Sequence, residues 1–442
     1  MKIAIVGSGI SGLVAAHLLH RDHELTVLEA GNHIGGHTNT VRFELDGRDY
    51  SIDTGFIVYN NRNYPLFSRL LDELGVVTKP TSMSFSVRCQ GTGLEYRGAD
   101  LNGLFVQRRN LVSPRFYNLL WHWLRFSRAA ERQLASQPHD LTVGQFFNQF
   151  HYSRSFIKHY FLPMASAIWS CPTHTVRDFP MQFIVEFYKH HGLLSLGDRP
   201  QWRVIEGGSY KYVQKLIRPW RHRIRLQSRV ISVRRLPEGV LLRTLGREPE
   251  VFDHVIMACH SDQALRILGT QATPVERAVL AQFPYERNEV ALHTDENILP
   301  RNRRAWASWN YCAPKEDVGK ATVTYYMNLL QGIQSERAFC VTLNDTQRIR
   351  ADRIIRTITY HHPVFTLQRK GAQARHWELI DHHGISYCGA YWGSGFHEDG
   401  VRSAVAVVDR LRELPCKAAF TRAGCDIDGA SRSSTHFAAA SS

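Results

Sequence analysis

Three features of the sequence predict an α/β protein that opens with a nucleotide-binding unit: a short apolar run at residues 3 to 6, the glycine-rich turn Gly7-Ser8-Gly9-Ile10-Ser11-Gly12, and a second short run, Leu25 to Glu29, ending in an acid. With a helix over residues 11 to 21 between them, these runs form a βαβ opening. Gly7 permits the tight turn, Gly9 lets a pyrophosphate approach the backbone, Gly12 allows helix to pack closely on strand, and Glu29 can bind ribose hydroxyls. The helix start adds partial positive charge. A glycine-rich turn with no ligand is the alternative, but its place between strand and helix, with the acid on the next strand, favours the dinucleotide.

At 442 residues the chain is long enough for two or three lobes, taking roughly 100 to 200 residues per domain. Residues 76 to 200 are rich in Phe, Tyr, Trp and Arg and are expected to be mostly helical. Gly207-Gly208 interrupts them. A helix follows at Ser209 to Leu216, then a basic strand at Ile224 to Arg235, a turn at Pro237-Glu238-Gly239, and strands at Val240 to Thr244 and Val255 to Ala258. Residues 286 to 375 alternate strands and helices, Thr322 to Tyr326 among them. Ile385 to Leu414 suits strand, glycine-rich loop and helix, and the Ala-, Ser- and Gly-rich stretch 415 to 442 is expected to be disordered.

Hydrophobic residues at 43% and charged residues at 21% exclude a disordered or fibrous chain. The net charge of +14 favours anionic partners. Lys and Arg crowd residues 211 to 235 with no acid between them, as on a solvated edge strand; no nucleic-acid-binding module accompanies them, so nucleic acid is not expected. The eight cysteines are scattered with no CxxC pair, which fits a reducing compartment. The N-terminal apolar run is too short for a signal segment, and no window approaches the ~20 apolar residues of a membrane span. The protein is therefore expected to be cytoplasmic, with peripheral contact at the inner face of the membrane left open.

In Glu29-Ala30-Gly31-Asn32-His33-Ile34-Gly35-Gly36-His37-Thr38-Asn39-Thr40 a Gly-Gly turn follows the acid. Here the chain resembles the flavin amine oxidase superfamily, which includes protoporphyrinogen oxidases, carotenoid desaturases and some fatty-acid isomerases. The resemblance implies FAD, with Ser11, Ala30, Gly36, His37 and Thr38 joining Gly7, Gly9, Gly12 and Glu29 around it. The family usually has Arg on either side of the Gly pair; His33 and His37 stand there, implying weaker or pH-dependent phosphate contacts. A metal on these two histidines would need a helix that the Gly-Gly breaks, so none is expected.

Asp53-Thr54-Gly55 resembles the family loop that reaches the flavin ring, with Thr54 and Gly55 as contacts, although an ordinary Asx turn fits equally. Gly207-Gly208 resembles a second landmark, after which Val230 would touch the adenine. Cys388 to Gly400 resembles the C-terminal landmark, in which Gly389, Gly395, Phe396 and Glu398 would hold the ribityl and pyrophosphate. The resemblance implies a discontinuous Rossmann-like FAD-binding domain (1–75, 201–285 and 376–414) with an inserted mixed α+β substrate domain (76–200 and 286–375). No attachment cysteine can be placed beyond the nearby Cys388, so FAD is expected to be non-covalent.

The amine-oxidizing members usually carry a Lys that holds a water at the flavin. Asn288 to Asp295 is the corresponding stretch and has none; His293 is the nearest replacement, as base or water holder, or else as a strand histidine satisfied by a neighbour. Tyr59, Trp309, Tyr326, Tyr391 and Trp392 are candidates for the substrate pocket, and Phe396 for one wall of an aromatic cage. Phe116 to Phe126 is apolar nearly all round and flanked by arginines. It suits a buried helix, a greasy tunnel, or a helix in a membrane interface. Gly36 to Thr40, Asp53 to Asn60 and Ser308 to Tyr311 resemble a bacterial subgroup of FAD-dependent oxidoreductases often encoded near cyclopropane-fatty-acyl methyltransferase-like enzymes. That implies a hydrophobic acyl substrate and a lipid methyltransferase partner; an amine oxidase and a non-catalytic flavin-binding subunit are the alternatives.

Overall fold

The computed structural model describes residues 1–136, 141–195, 197, 199–314, 320 and 322–413. The disordered tail expected at 415–442, with Cys416 and Cys425, lies outside the described residues.

The opening unit is β1 (Lys2–Val6), α1 (Ile10–Leu19) and β2 (Glu24–Leu28). The two strands run parallel in a five-stranded sheet ordered Ile224–Arg225, β2, β1, His254–Met257, Ile385–Tyr387. Ile3, Ala4 and Ile5 are fully buried, as are Val255, Ile256 and Met257, because a parallel sheet covered on both faces needs apolar residues throughout. Helix α1 is apolar almost all round and packs against the C-terminal helix His397–Glu413.

A seven-stranded sheet has the order Ile354–Pro363, Tyr285–His293, Cys340–Leu343, Val323–Tyr326, Trp309–Ala313, Phe85–Cys89, Glu95–Arg97. Its strands come from between the first and second and between the second and third parallel-sheet segments, so the two sheets interleave along the chain. Tyr59–Asn60, Trp202–Ile205 and Thr78–Thr81 form a small sheet linking the segments. A helical block over Leu101–His190 has its own aromatic core, centred on Phe126, Phe146, Phe147 and Phe161.

Two expectations change. The basic strand 224–235 is two strands: Ile224–Arg225 joins the parallel sheet, and Val230–Leu236 pairs antiparallel with Gly239–Thr244. The break is physical, since Gln227 takes a positive φ of 49° where the chain leaves one sheet for the other. The stretch 76–200 is helical only from Leu101, the preceding residues forming strands Thr78–Thr81, Phe85–Cys89 and Glu95–Arg97. The aromatic helix, Pro114–Ala135, has two faces: Phe116, Leu119, His122 and Phe126 are buried, whereas Tyr117, Trp121 and Leu124 are exposed.

Candidate active site

A cavity of about 1680 Å³ runs from the first turn of the parallel sheet, between the two large sheets, to the aromatic helix. At its first end Gly7, Gly9, Ser11, Glu29 and Ala30 line the wall. Gly7 has a φ of 110°, and a Cβ there would stand 2.8 Å from the Ala258 carbonyl oxygen. A Cβ on Gly12 would lie 2.1 Å from the Gly7 oxygen, whereas one on Gly9 would meet nothing within 4 Å. Packing therefore explains Gly7 and Gly12 but not Gly9, whose bare backbone faces open cavity at a helix start with no side-chain cap and no acid in its first turn. Uncapped N–H groups beside such a space fit a pyrophosphate. The Glu29 carboxylate accepts from Ser8 N at 2.9 Å, Ser8 Oγ at 2.5 Å and Gly31 N at 2.7 Å, which pins it at the wall.

The Gly-Gly turn closes over this end. Gly35 and Gly36 have φ of 128° and 58°, and a Cβ on Gly36 would come within 3.1 Å of Gly9 Cα. Phe56 N donates to the His37 carbonyl at 2.7 Å and Thr54 N to that of Asn39 at 3.0 Å, so the Asp53-Thr54-Gly55 loop is laced to the turn. Asp53 anchors the lacing by accepting from Ser209 N and Oγ and from Gln331 Nε2. Burial pushes its carboxyl up to about 6 against those donors.

Beyond the turn lies a wall of imidazoles. His37, His260, His361 and His362 all line the cavity. The His37 ring stands 5.3 Å from that of His362 and 6.3 Å from that of His260, and stacks on Tyr360 at 4.8 Å; His260 stacks on Tyr285 at 4.4 Å. Burial first, then the neighbouring imidazoles, holds His37 and His362 down at about 3 and His260 at about 4. His37, His260 and His362 are thus held neutral at physiological pH. No group of three His, Cys, Asp or Glu among the described residues is arranged to hold a metal ion.

The far end is apolar. Met83, Leu104, Leu119, Leu120, Trp123 and Met164 line it, together with Trp309, Tyr325, Phe365 and Phe396. No Lys among the described residues lines the cavity. Its mouth includes the exposed Gly98 to Leu101, and Leu101 is 75% exposed. On the segments that follow, Val112 is 82% and Trp121 57% exposed. Residues 101–130 contain Arg108, Arg109, Arg115, Arg125 and Arg128 and no acid.

Of the residues singled out from sequence, Gly7, Gly9, Ser11, Glu29, Ala30, Gly36, His37, Gly55 and Val230 come together at the first end. Gly389, Gly395, Phe396, Tyr391 and Trp309 line the same cavity. The others stand behind it. Gly12 packs helix on turn. Thr38 Oγ1 is bound to Tyr212 Oη at 2.6 Å and His397 Nε2 at 3.0 Å, and Thr54 Oγ1 to Tyr360 Oη at 2.9 Å. Val230 lines the wall at the start of the antiparallel sheet.

Five assignments are corrected. His293 is fully buried away from the cavity, its Nε2 on Thr342 Oγ1 at 2.7 Å and its Nδ1 accepting from Asp295 N. Glu398 caps the helix Pro65–Glu73, accepting from Leu66 N at 3.1 Å and Phe67 N at 3.0 Å. Tyr59 lies in the core edge-on to Phe67. Tyr326 packs on Trp306, and Trp392 stacks on His376 at 4.1 Å. Each is a large or polar side chain packed among neighbours that sequence alone does not place beside it.

Residues missed from sequence are His260, His361, His362, Tyr285 and the buried Arg369. The last donates to the Tyr391 and Gly393 carbonyls at 3.0 Å each and so holds the C-terminal glycine loop. The only signal was the His361-His362-Pro363 cluster itself.

The sequence profile described as flavin containing amine oxidoreductase matches residues 10–412. Amine oxidase [flavin-containing] A of Bos taurus is 26% identical over 303 residues, covering 63% of this chain and 53% of that protein, so the chain spans about half the length of this curated relative. Among solved structures, cyclohexylamine oxidase from Brevibacterium oxydans IH-35A has a TM-score of 0.66 at 18% identity, over 93% of this chain and 99% of that one. A CLA-producing fatty acid isomerase from P. acnes has a TM-score of 0.64 at 15% identity, over 92% and 98%. At these identities the structures establish a shared fold.

Proposed function

The chain belongs to the flavin-containing amine oxidoreductase family and binds FAD, and from that premise we propose that it acts on a long unsaturated or methyl-branched acyl chain drawn from a membrane. One observation carries the reading: the apolar end of the cavity opens at an exposed apolar patch with arginines on the segments that follow, the acid at the opening, Asp100, being paired with Arg97. FAD, when bound, supplies hydride acceptance from, or rearrangement next to, a substrate C–H bond. The turn at Gly7 to Gly12, with Glu29 and Gly36, would hold its dinucleotide, and the Gly389 to Gly395 loop would support the rest.

The protein's own work is positioning and drying. Each acyl CH₂ buried along Leu104, Leu119, Leu120 and Trp123 contributes up to ~0.8 kcal/mol, so the chain needs no charged anchor. No Lys among the described residues lines the cavity to hold a water for amine oxidation, and Glu286, the register partner of His362, is not among the lining residues. Fatty acid isomerization by a protein of the same fold is compatible with the reading. The arginines around the mouth would contribute ~1 kcal/mol each on acidic lipid. No helix among the described residues is long and apolar enough to cross a membrane, which leaves peripheral docking as the mode of contact. A lipid methyltransferase is the partner that would supply methylated chains. FAD is held non-covalently: Cys388 is fully buried behind the wall, and burial pushes the Cys259 thiol up to about 12, away from the nucleophilic thiolate.

Anaerobic mixing with acyl phospholipids should bleach the flavin or move a double bond, read by absorbance together with product mass and bond position. Bleaching by simple amines without response to lipids would replace this reading with amine oxidation, and silence to both would favour a non-catalytic flavin-binding subunit. Acid precipitation should leave the yellow colour in solution.

A further inference from the structure

A chain of hydrogen bonds with a fixed sense ends on the cavity wall at His362. It starts at a backbone N–H, which can only donate: Glu289 N donates to Asn344 Oδ1 at 2.9 Å. The Asn344 amide nitrogen is thereby set to donate to Asn288 Oδ1 at 2.7 Å. The Asn288 nitrogen then faces two acceptors, the Glu286 carbonyl at 3.3 Å and His362 Nδ1 at 3.0 Å. A side-chain amide nitrogen donates and does not accept, so His362 Nδ1 is the acceptor and the ring proton sits on Nε2. Asn288 is 1% exposed and lies behind the wall, while His362 lines the cavity. The protonated edge of the ring therefore faces the cavity.

We propose that His362 is a neutral hydrogen-bond donor to an acceptor oxygen or nitrogen inside the cavity, with Asn288 and Asn344 as the residues that fix its tautomer. The proposal rests on the cavity being the FAD and substrate site, and the acceptor belongs either to the flavin or to the substrate. The location suits both. His362 stands beside His37 of the Gly-Gly turn, and the next residue, Pro363, lies 3.3 Å from where a Gly395 Cβ would be. The ring thus sits where the two glycine loops converge.

Charge supports a neutral donor. His37, His260 and His361 surround the ring on the cavity side, Tyr360 precedes them on the same strand, and Glu286 is its register partner on the neighbouring strand. Protonating His362 would place a cation among three imidazoles, and burial with His37 and His361 opposes it. A donor that stays neutral keeps its role across physiological pH, which a titrating base would not.

The test is ¹⁵N-histidine NMR of the full-length apoprotein, with His362→Phe to assign the signal. Wild type should show protonated Nε2 and bare Nδ1 at neutral pH. Asn288→Asp replaces the donor with a carboxylate that only accepts, so the proton should move to Nδ1 and the ring should titrate at higher pH. A bare Nε2 in wild type, or an unmoved proton in Asn288→Asp, overturns the proposal whatever the substrate proves to be. In the reconstituted protein His362→Phe should lose roughly five- to tenfold, the effect of one net hydrogen bond, and His362→Gln, which keeps an N–H, should restore most of it. A loss in FAD affinity assigns the acceptor to the flavin, and a loss in substrate half-saturation with FAD unchanged assigns it to the substrate. No loss in either would overturn the donor role.

Discussion

At its nucleotide end the cavity is walled by backbone, and at its far end by side chains. The first wall is Gly7, Gly9, Gly35 and Gly36, placed by turns whose positive φ or bare Cα is written in the residue type. The second combines Met83, Leu120, Met164 and Trp309, which come from a strand-flanking loop, two helices and a strand separated by up to hundreds of positions. One end is specified locally and the other only by the completed fold. Mutations at the two ends should therefore fail in different ways.

The largest expected effect is inside the first wall. Gly12→Ala drives a methyl to 2.1 Å from the Gly7 oxygen, against backbone that cannot swing away as a side chain could, and should destabilise the apoprotein by at least the ~1 to 3 kcal/mol of an overpacked core. Gly9→Ala meets nothing, so its apoprotein should melt as wild type does and yet take up less FAD. Thermal melts and flavin content of both variants separate the roles. If both lost stability equally, the space over Gly9 would not be a ligand's.

Next comes Glu29→Ala. Its carboxylate holds Ser8 and Gly31 and has cavity on its other side. A charged hydrogen bond to ribose is worth about 1.5 to 3 kcal/mol, or about one to two decades in affinity. Equilibrium dialysis of FAD measures it, and unchanged affinity would confine Glu29 to the turn.

The same contrast explains what the sequence made legible. The βαβ opening follows from Val6, Gly7, Gly9, Gly12 and Glu29, because each meets a requirement that few other residues could. The imidazole wall does not follow, because His37, His260 and His362 are each more than a hundred positions apart and meet only when two sheets interleave. The catalytic assignment to His293 misplaced a role along one strand: Asn288, five residues earlier, reaches the cavity wall through His362, while His293 turns to Thr342. Strand register decides such matters, and a slip of one residue exchanges faces. Glu398 misled for a related reason. Its carboxylate looks available beside a glycine loop but caps Leu66 and Phe67 of a helix more than three hundred residues away.

At the far end Leu120→Trp should leave FAD binding alone and shorten the tunnel. Excluding even two acyl CH₂ groups from burial would cost about 1.6 kcal/mol, or roughly tenfold in half-saturation for long chains. Short chains should be unaffected. A loss independent of chain length would place the acyl path elsewhere.

The smallest expected effect tests the mouth. Arg115 is exposed beside Val112 and one helical turn or two from Trp121. Arg115→Gln removes one charge from the arginine-flanked patch and should weaken sedimentation with anionic vesicles by ~1 kcal/mol, about fivefold. Arg247→Gln, in the turn after Gly239–Thr244 in the small antiparallel sheet, removes the same charge away from the patch. Net charge acting at long range would make the two variants equivalent, whereas a docking face makes only the first matter. Raising the salt should close the gap between them, since exposed charges are screened beyond a Debye length of about 10 Å at 0.1 M. Equal losses in both variants at low salt would reduce the membrane contact to bulk electrostatics and leave the apolar rim without a role.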